Sequence, residues 1–449
     1  MFRALVAALP VFAFCVQAAV AAPATSPVGS EGRLAALTPE QRAFVSDAHM
    51  LALFHLSPEK LSDILGARDD AQARAYVAAL MQVVADSRFQ QGKDQDAIPL
   101  NPKATAFNIS MTLKPALFDT YRRDPGPISL DHYMFERGGI PTFAHAPVAI
   151  RAEDLKAGKV DVAFVGVPMD FSTGYRDAAH GPMVLRGADS LVGTDVYTGI
   201  DPATVLRLAD YGNIAIDYMS VERSVAHVRT MVGDMARAHT IPFIVGGDHA
   251  LMYPDVAAMS DVYGRDRVGV VQLDAHYEGE AANAHTISDM QSVRRLLSDH
   301  ILDGRHLVQI GLRGGEATSA DLERLRAQGV RMHTMGEIEH DGWQEVMRRS
   351  LSEVRDGTDY LFVSFDLSVL DPVYATGVGR PVPNGLTMRE VVPLVRELCA
   401  QKNVVGFEVL DPAPIMDATY KTAQNANYIM HSCLAGVAQR HLMVAGPSH

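Results

Sequence analysis

Thiolate is scarce in this sequence. Three cysteines stand in 449 residues, and no Cys-x-x-Cys or Cys/His spacing suits a structural zinc. Positive charge is in deficit as well: 40 Lys and Arg face 53 Asp and Glu, a formal net charge of −13, with no basic stripe. Such a surface repels a polyanion, which excludes nucleic acid as a partner. Its acidity reads first as ordinary colloidal solubility and second as a weak attraction for cationic substrates. Internal repeats and low-complexity tracts are absent. With 48% hydrophobic and 21% charged residues, the chain has ample apolar material for a large packed core, which argues against disorder.

Charge is also missing from the beginning of the chain, where Arg3 is the only charged residue before Glu31. An apolar run follows from Ala4 to about Val16, too short for a membrane span, and then Ala19-Val20-Ala21. A basic start, a short apolar segment and an A-x-A site predict a signal peptide over 1–21, a mature N-terminus near Ala22, and a periplasmic or secreted protein with no membrane span once the signal is cleaved. Cys15 lacks the small residue that precedes a lipoprotein cysteine, and it leaves with the signal. Cys399 and Cys433 then remain, two thiols that an oxidising compartment would allow to pair or leave apart.

Residues 22–32 are small, polar and Pro/Gly-containing, as a linker is. Residues 33–92 read as helices: Thr38-Pro39-Glu40-Gln41 is a capping box with proline at the first helical position, and Ser57-Pro58-Glu59 repeats the cap-then-proline signal. Tyr76, Val77, Leu80, Met81 and Val84 follow Asp69-Asp70 at helical spacing. A turn-rich stretch then places a boundary near residue 100, giving a linker and helical extension over 22–100 and a main domain over 101–449.

From Val160 onward short β-branched runs alternate with longer helical patterns. The expected strands are Val160–Gly166, Ile241–Val245, Val268–Leu273, His306–Ile310, Gly329–His333, Tyr360–Phe365 and Val404–Val409. Several are hydrophobic on both faces, as strands of a covered parallel sheet must be, so the fold class is α/β with a mostly parallel sheet. In such sheets ligands gather beyond the carboxyl ends of the strands.

Three of those ends carry the chemistry. Gly246-Gly247-Asp248-His249 follows the second candidate strand. Asp274-Ala275-His276-Tyr277-Glu278 follows the third, and period-two spacing aims 274, 276 and 278 at one point. Asp366 and Ser368 share a face in Ser364-Phe365-Asp366-Leu367-Ser368, ahead of Asp371-Pro372. Two imidazoles and three carboxylates suit two divalent cations, which could clamp a hydrolytic transition state. Any one of these motifs alone is more often a surface loop or a satisfied hydrogen-bonding pair than a metal ligand; it is their joint appearance behind buried-type strands that carries weight.

Gly-Gly-Asp-His, Asp-Ala-His-x-Asp and Ser-x-Asp-x-Asp-x-x-Asp-Pro are the signatures of the ureohydrolase (arginase/agmatinase) family, and in this order the chain resembles an agmatinase-like member over roughly 130–445. Gly139–Phe143, Phe164–Asp170, Thr173–Arg176, Asp210–Gly212, Gln309–Arg313, Pro383–Thr387 and Val405–Val409 match its flanks. The resemblance implies a three-layer arginase-like fold and two divalent ions, Mn2+ foremost. It implies His249, Asp274, Glu278 and Asp366 as ligands of the first ion, and Asp274, His276 and Asp366 as ligands of the second. It implies His285 as proton shuttle and substrate contact, Glu408 as the partner of a small cationic guanidino substrate, Asp366 as stabiliser of the tetrahedral species, and a homotrimer or hexamer. The implied reaction is hydrolysis of a guanidino C–N bond to urea and an amine.

Two ligand positions depart from the family pattern. Glu278 stands where the family has aspartate, one methylene shorter. Ser368 replaces an aspartate ligand with a neutral hydroxyl, which weakens the second site. Thr286-Ile287-Ser288-Asp289-Met290 also departs, in a loop that lines the family's substrate site, and this counts against agmatine as substrate. The alternative is a weakened or non-catalytic member, or a partner subunit.

Overall fold

The computed structural model describes residues 31–52, 54, 56–87, 125–127, 141–171, 177–280, 287–354, 357–401 and 403–445. The expected signal segment, the linker up to residue 30, the boundary near 100 and His285 lie outside them. The chain divides into two compact units, Met1–Val84 and Ala85–His449.

The first unit is helical, with helices Glu31–Ala35, Pro39–Ser46, Ala48–Ala52, Pro58–Gly66 and Asp70–Ser87. The capping box forms as its residues predict: Gln41 N–H donates to Thr38 Oγ1 at 3.2 Å, and Thr38 N–H donates to Gln41 Oε1 at 3.1 Å. Asp69 and Gln72 make the same reciprocal pair ahead of the longest helix, at 2.8 and 3.1 Å. Leu37, Val45, Leu51, Leu61, Leu65, Ala73 and Val77 form one small core. Leu80 and Val84 are buried along the same helix at the expected spacing.

The second unit is built on an eight-stranded sheet. Its strands are β1 (Val162–Val167), β2 (Leu208–Asn213), β3 (Ile241–Gly246), β4 (Val268–Leu273), β5 (Leu307–Leu312), β6 (Arg331–Thr334), β7 (Tyr360–Asp366) and β8 (Asn403–Leu410). They lie in the order β2-β1-β3-β8-β7-β4-β5-β6, and each pairing is parallel. Alternate side chains feed opposite layers. Phe164, Phe243, Val363 and Phe407 pack with Leu394, Val395 and Ile429 on one face. Val165, Ile244, Phe362 and Val405 pack with Val228, Val232, Val256 and Met259 on the other. The sheet is therefore covered on both sides, the three-layer α/β arrangement that doubly hydrophobic strands require.

Seven strands fall on the expected segments. The eighth, β2, reads Leu-Ala-Asp-Tyr-Gly-Asn, which has no β-branched residue and three strand-poor ones. Tertiary contacts override that propensity. The Asp210 carboxylate takes a fork from Arg186, at 2.8 and 3.0 Å, and the N–H groups of Phe143 and Gly212, at 2.9 and 2.8 Å.

Cys399, in the helix Met388–Gln401, is disulfide-bonded to Cys433, in the helix Lys421–Ala445, and both are wholly buried. Closing a loop of 34 residues constrains the unfolded chain by about 4 kcal/mol in the chain-entropy picture.

Candidate metal centre

The three ligand-bearing strands β3, β7 and β4 lie together at the centre of the sheet, with only β8 between β3 and β7. Parallel pairing brings their carboxyl ends to the same edge, so residues far apart in sequence meet there.

At the end of β3, Gly247 has no room for a side chain: a Cβ would lie 2.4 Å from Met169 O and 2.7 Å from Val167 O. Asp248 then starts a helical turn, His249–Leu251, by accepting the N–H of Ala250 at 3.0 Å and that of Phe171 at 2.8 Å. Asp248 is thus a positioning residue that delivers His249. The His249 Nδ1 sits 2.7 Å from Asp366 Oδ2 and 3.2 Å from Asp274 Oδ2, all three side chains buried.

Beyond β4 the chain does not stay extended. Glu278 has φ +48°, a left-handed conformation uncommon for glutamate. Convergence of 274, 276 and 278 therefore comes from a turn, not from the period-two extension expected. His276 Nδ1 lies 3.2 Å from Asp274 Oδ1 and 3.8 Å from Glu278 Oε1. Asp366 ends β7, and its Oδ1 accepts the Ser368 N–H at 2.7 Å as a short helical turn begins. Arg313 pins that turn from behind, donating to the carbonyls of Ser368, Val369 and Leu370 at 2.7–3.2 Å and to Val382 O at 2.6 Å.

Two overlapping groups have ligand atoms close enough for an ion: His249, Asp274 and Asp366, and Asp274, His276 and Glu278. Asp274 belongs to both. Glu278 sits with His276 here, whereas the resemblance had set it beside His249. The donor set fits a divalent cation, and two of its buried atoms, His276 Nε2 and Glu278 Oε2, have no hydrogen-bond partner among the described residues. Gln272 supports the pair from below, donating to Asp274 Oδ2 at 2.8 Å and accepting from Gln309 at 2.9 Å.

The electrostatics follow from burial and crowding. Burial opposes protonation of His249, but the Asp274 and Asp366 carboxylates more than offset it and raise its pKa well above normal. Burial also works against an ionised Asp274, and the two histidines reverse that, holding its pKa below the usual carboxylate range. Burial pushes Glu278 well up despite the neighbouring Arg380. A divalent ion would take over the role of the imidazolium proton.

Ser368 does not face an empty ligand position. Its hydroxyl donates to Asp274 Oδ1 at 2.9 Å and lies 3.3 Å from His276 Nδ1, so a neutral group occupies the carboxylate common to both groups.

Glu408, expected to hold a substrate cation, is wholly buried. It points under the ligands toward Asp255 of the helix Met252–Tyr263 and toward Ser364. Burial raises Glu408 to about 7, and burial with the Glu408 charge raises Asp255 further. Among the described residues, no donor hydrogen-bonds either carboxylate. One proton kept on Asp255 and donated to Glu408 resolves the pair. So enclosed, Glu408 lies where it can share a proton with Asp255.

Sequence reasoning missed Asp255, Asp289 and Arg380. A polar residue inside a helix and a lone arginine in a turn carry no local signal of burial. Arg380 Nη2 contacts Glu278 Oε1 and lies 3.1 Å from Asp289 Oδ2, and its Nη1 lies 3.0 Å from Glu316 Oε2.

This α/β fold, with its pair of overlapping buried groups able to hold a divalent ion, is that of a hydrolase. Residues 160–436 match the Arginase family, and the chain belongs to it. It is 30% identical to the mitochondrial guanidino acid hydrolase of Homo sapiens over 304 residues, 67% of this chain and 83% of that protein. It is 30% identical to the guanidinobutyrase of Pseudomonas aeruginosa over 309 residues, 68% of this chain and 95% of that protein. Among solved structures, proclavaminate amidino hydrolase from Streptomyces clavuligerus superposes with a TM-score of 0.61 at 28% identity, covering 68% of this chain and 100% of that one.

Proposed function

We propose that this protein is a metal-dependent hydrolase of a guanidino C–N bond, releasing urea and an amine from a small cationic substrate. The observation that carries this is the pair of overlapping buried groups around Asp274 at the carboxyl ends of central parallel strands. Divalent metal, Mn2+ foremost, would be held by His249, Asp274 and Asp366, and by Asp274, His276 and Glu278 where a second ion binds. Its chemistry there is to acidify water and supply a nucleophile near neutral pH. The chain's own residues do the rest. Asp366 orients His249 and is itself fixed by the Ser368 N–H. Gln272 fixes Asp274. Asp255 and Glu408 keep a proton beneath the ligands. His285 is assigned proton delivery to the departing amine by resemblance.

Relatives named for guanidino acids and for agmatine set the range of substrates. The departures at Thr286–Met290 favour a guanidino acid over agmatine. The test is urea release by Mn2+-loaded protein over 4-guanidinobutyrate, 3-guanidinopropionate, arginine and agmatine. Urea from a guanidino acid supports the assignment; an ion-loaded protein that releases none from any of them sinks it. That second outcome would favour a non-catalytic family member, for which the Ser368–Asp274 hydrogen bond is the specific support.

The N-terminal pattern supports export, with a mature start near Ala22 and the Cys399–Cys433 bond in keeping with an oxidising compartment. N-terminal sequencing of accumulated protein that reads Met1 or Phe2 removes this assignment. A homotrimer or hexamer is proposed on family membership alone.

A further inference from the structure

The Asp274–His276–Glu278 group already has a cation. Arg380 has its side chain 15% exposed, and that of Glu278 is wholly buried. The guanidinium meets Glu278, Asp289 and Glu316 at once. The residue is anchored at its other end too, where its backbone N–H donates to Asp411 Oδ2 at 3.3 Å. A buried guanidinium that fastens several carboxylates is a fixed charge with low reorganisation cost. On the same side, the Asp274 oxygen that faces His276 is taken by the Ser368 hydroxyl at 2.9 Å and by the His276 N–H at 2.9 Å. The other group also carries a hydrogen bond, from Gln272 to Asp274 Oδ2 at 2.8 Å, but His249, Asp274 and Asp366 have no arginine or lysine ion pair among the described residues.

We propose that Arg380 is a resident cation that takes the place of a second divalent ion at Glu278, so that the chain binds one ion tightly, at His249, Asp274 and Asp366, and a second only when the guanidinium is displaced. The physical basis is short-range repulsion. A dication and a guanidinium bonded to one carboxylate repel each other at a separation of a few ångströms, inside a buried pocket where screening is weak. The proposal rests on the metal-dependent assignment above but adds a residue and a stoichiometry to it. It also accounts for how the chain keeps Glu278 in a buried site after losing a charged ligand at position 368. Carboxylates left crowded without a cation would be costly, and the guanidinium relieves them.

The test is Mn2+ titration by calorimetry into chelator-stripped full-length mature protein, with elemental analysis after dialysis. The parent is expected to hold one ion per chain. Arg380→Gln, which keeps hydrogen bonding and removes the charge, is expected to hold a second ion or to bind it at least tenfold more tightly. Arg380→Lys, which keeps the charge, is expected to stay at one. Two equally tight ions in the parent overturn the proposal while leaving the metal-dependent assignment standing. So does an Arg380→Gln protein, folded by circular dichroism, that titrates as the parent does. If Arg380→Gln fails to fold, the parent stoichiometry and Arg380→Lys still decide. A parent that binds no Mn2+ overturns both this proposal and the assignment beneath it.

Discussion

The two halves of the candidate metal centre share Asp274 and differ in the groups bonded around it. On one side, His249 lies between Asp274 and Asp366, buried, with no arginine or lysine ion pair to these three among the described residues. On the other, His276 and Glu278 stand beside a buried guanidinium and a serine hydroxyl. Ligand count alone would call them equivalent. Charge does not: each side has a hydrogen bond to Asp274, but on the second an incoming ion would also have to displace or repel the Arg380 guanidinium bonded to Glu278. A list of metal-ligating residues thus says less about occupancy than the groups already bonded to them.

The largest effect should come from removing what the halves share. Asp274→Asn is expected to weaken Mn2+ binding by at least about 100-fold, the upper end of what supporting groups alone contribute, and to abolish urea release. Calorimetry and a urea assay check this, and parental binding in Asp274→Asn would mean that the carboxylate is not a ligand. A sharper version separates the sides. His249→Ala should lose the tight ion, while His276→Ala should keep it within about tenfold. Equal losses in both variants would erase the asymmetry.

How much of this was readable in the sequence depends on how local the signal was. Strands β1, β3, β4 and β7 announce themselves because a strand buried on both faces must be apolar throughout. The ligands follow them directly, so His249, Asp274, His276, Glu278 and Asp366 could be named before any fold was seen. β2 was hidden because its stability comes from Arg186 gripping Asp210, a pairing across 24 residues. Arg380 was hidden for the same reason on a larger scale: 102 residues separate it from Glu278. Glu408 was named through the family resemblance alone, and nothing local says that Asp255 lies opposite it. The period-two argument for Glu278 named the right residue for the wrong reason, since a left-handed turn places it.

A smaller effect concerns the acids below the ligands. Glu408 has a folded pKa raised from 4.5 to about 7. A raised carboxylate pKa means that the folded state holds the proton more tightly than the unfolded one. The stabilisation is present below pH 4.5 and is lost as pH rises through about 7. In chelator-treated protein the parent should lose of order 3 kcal/mol across that interval at most, because each pKa unit is worth about 1.4 kcal/mol. Glu408→Gln should remove that part of the pH dependence and still accept the Asp255 proton. Denaturant unfolding at pH 5 and pH 8 measures it. A parent that gains stability over this interval relative to Glu408→Gln would show an ionised Glu408 facing a cation, as the resemblance first suggested. A severe loss of urea release in Glu408→Gln with unchanged pH dependence would point the same way.

The smallest effect, and the one that bears most directly on why the halves differ, belongs to Ser368. Its hydroxyl donates to Asp274 Oδ1 at 2.9 Å. Aspartate at 368 cannot donate; it places a second carboxylate against Asp274 in a buried site. Without metal those like charges repel, so Ser368→Asp should be destabilised by roughly 1–3 kcal/mol in chelator, the cost of leaving a buried polar group unsatisfied. With Mn2+ the same carboxylate becomes a ligand, so the variant should recover that stability and bind a second ion about tenfold more tightly than the parent. The change in sign between chelator and Mn2+ is the discriminating feature, because a merely structural serine would be missed equally in both. Arg380 adds a second layer. If it opposes the second ion, the gain from Ser368→Asp is limited while the guanidinium stays, and Ser368→Asp combined with Arg380→Gln should exceed the sum of the single effects. Thermal unfolding of the four proteins in chelator and in Mn2+, with stoichiometry by calorimetry, closes the cycle. Strict additivity would show that Ser368 and Arg380 act on different ions. An unchanged response of Ser368→Asp to Mn2+ would show that another group already fills the position its carboxylate was meant to take.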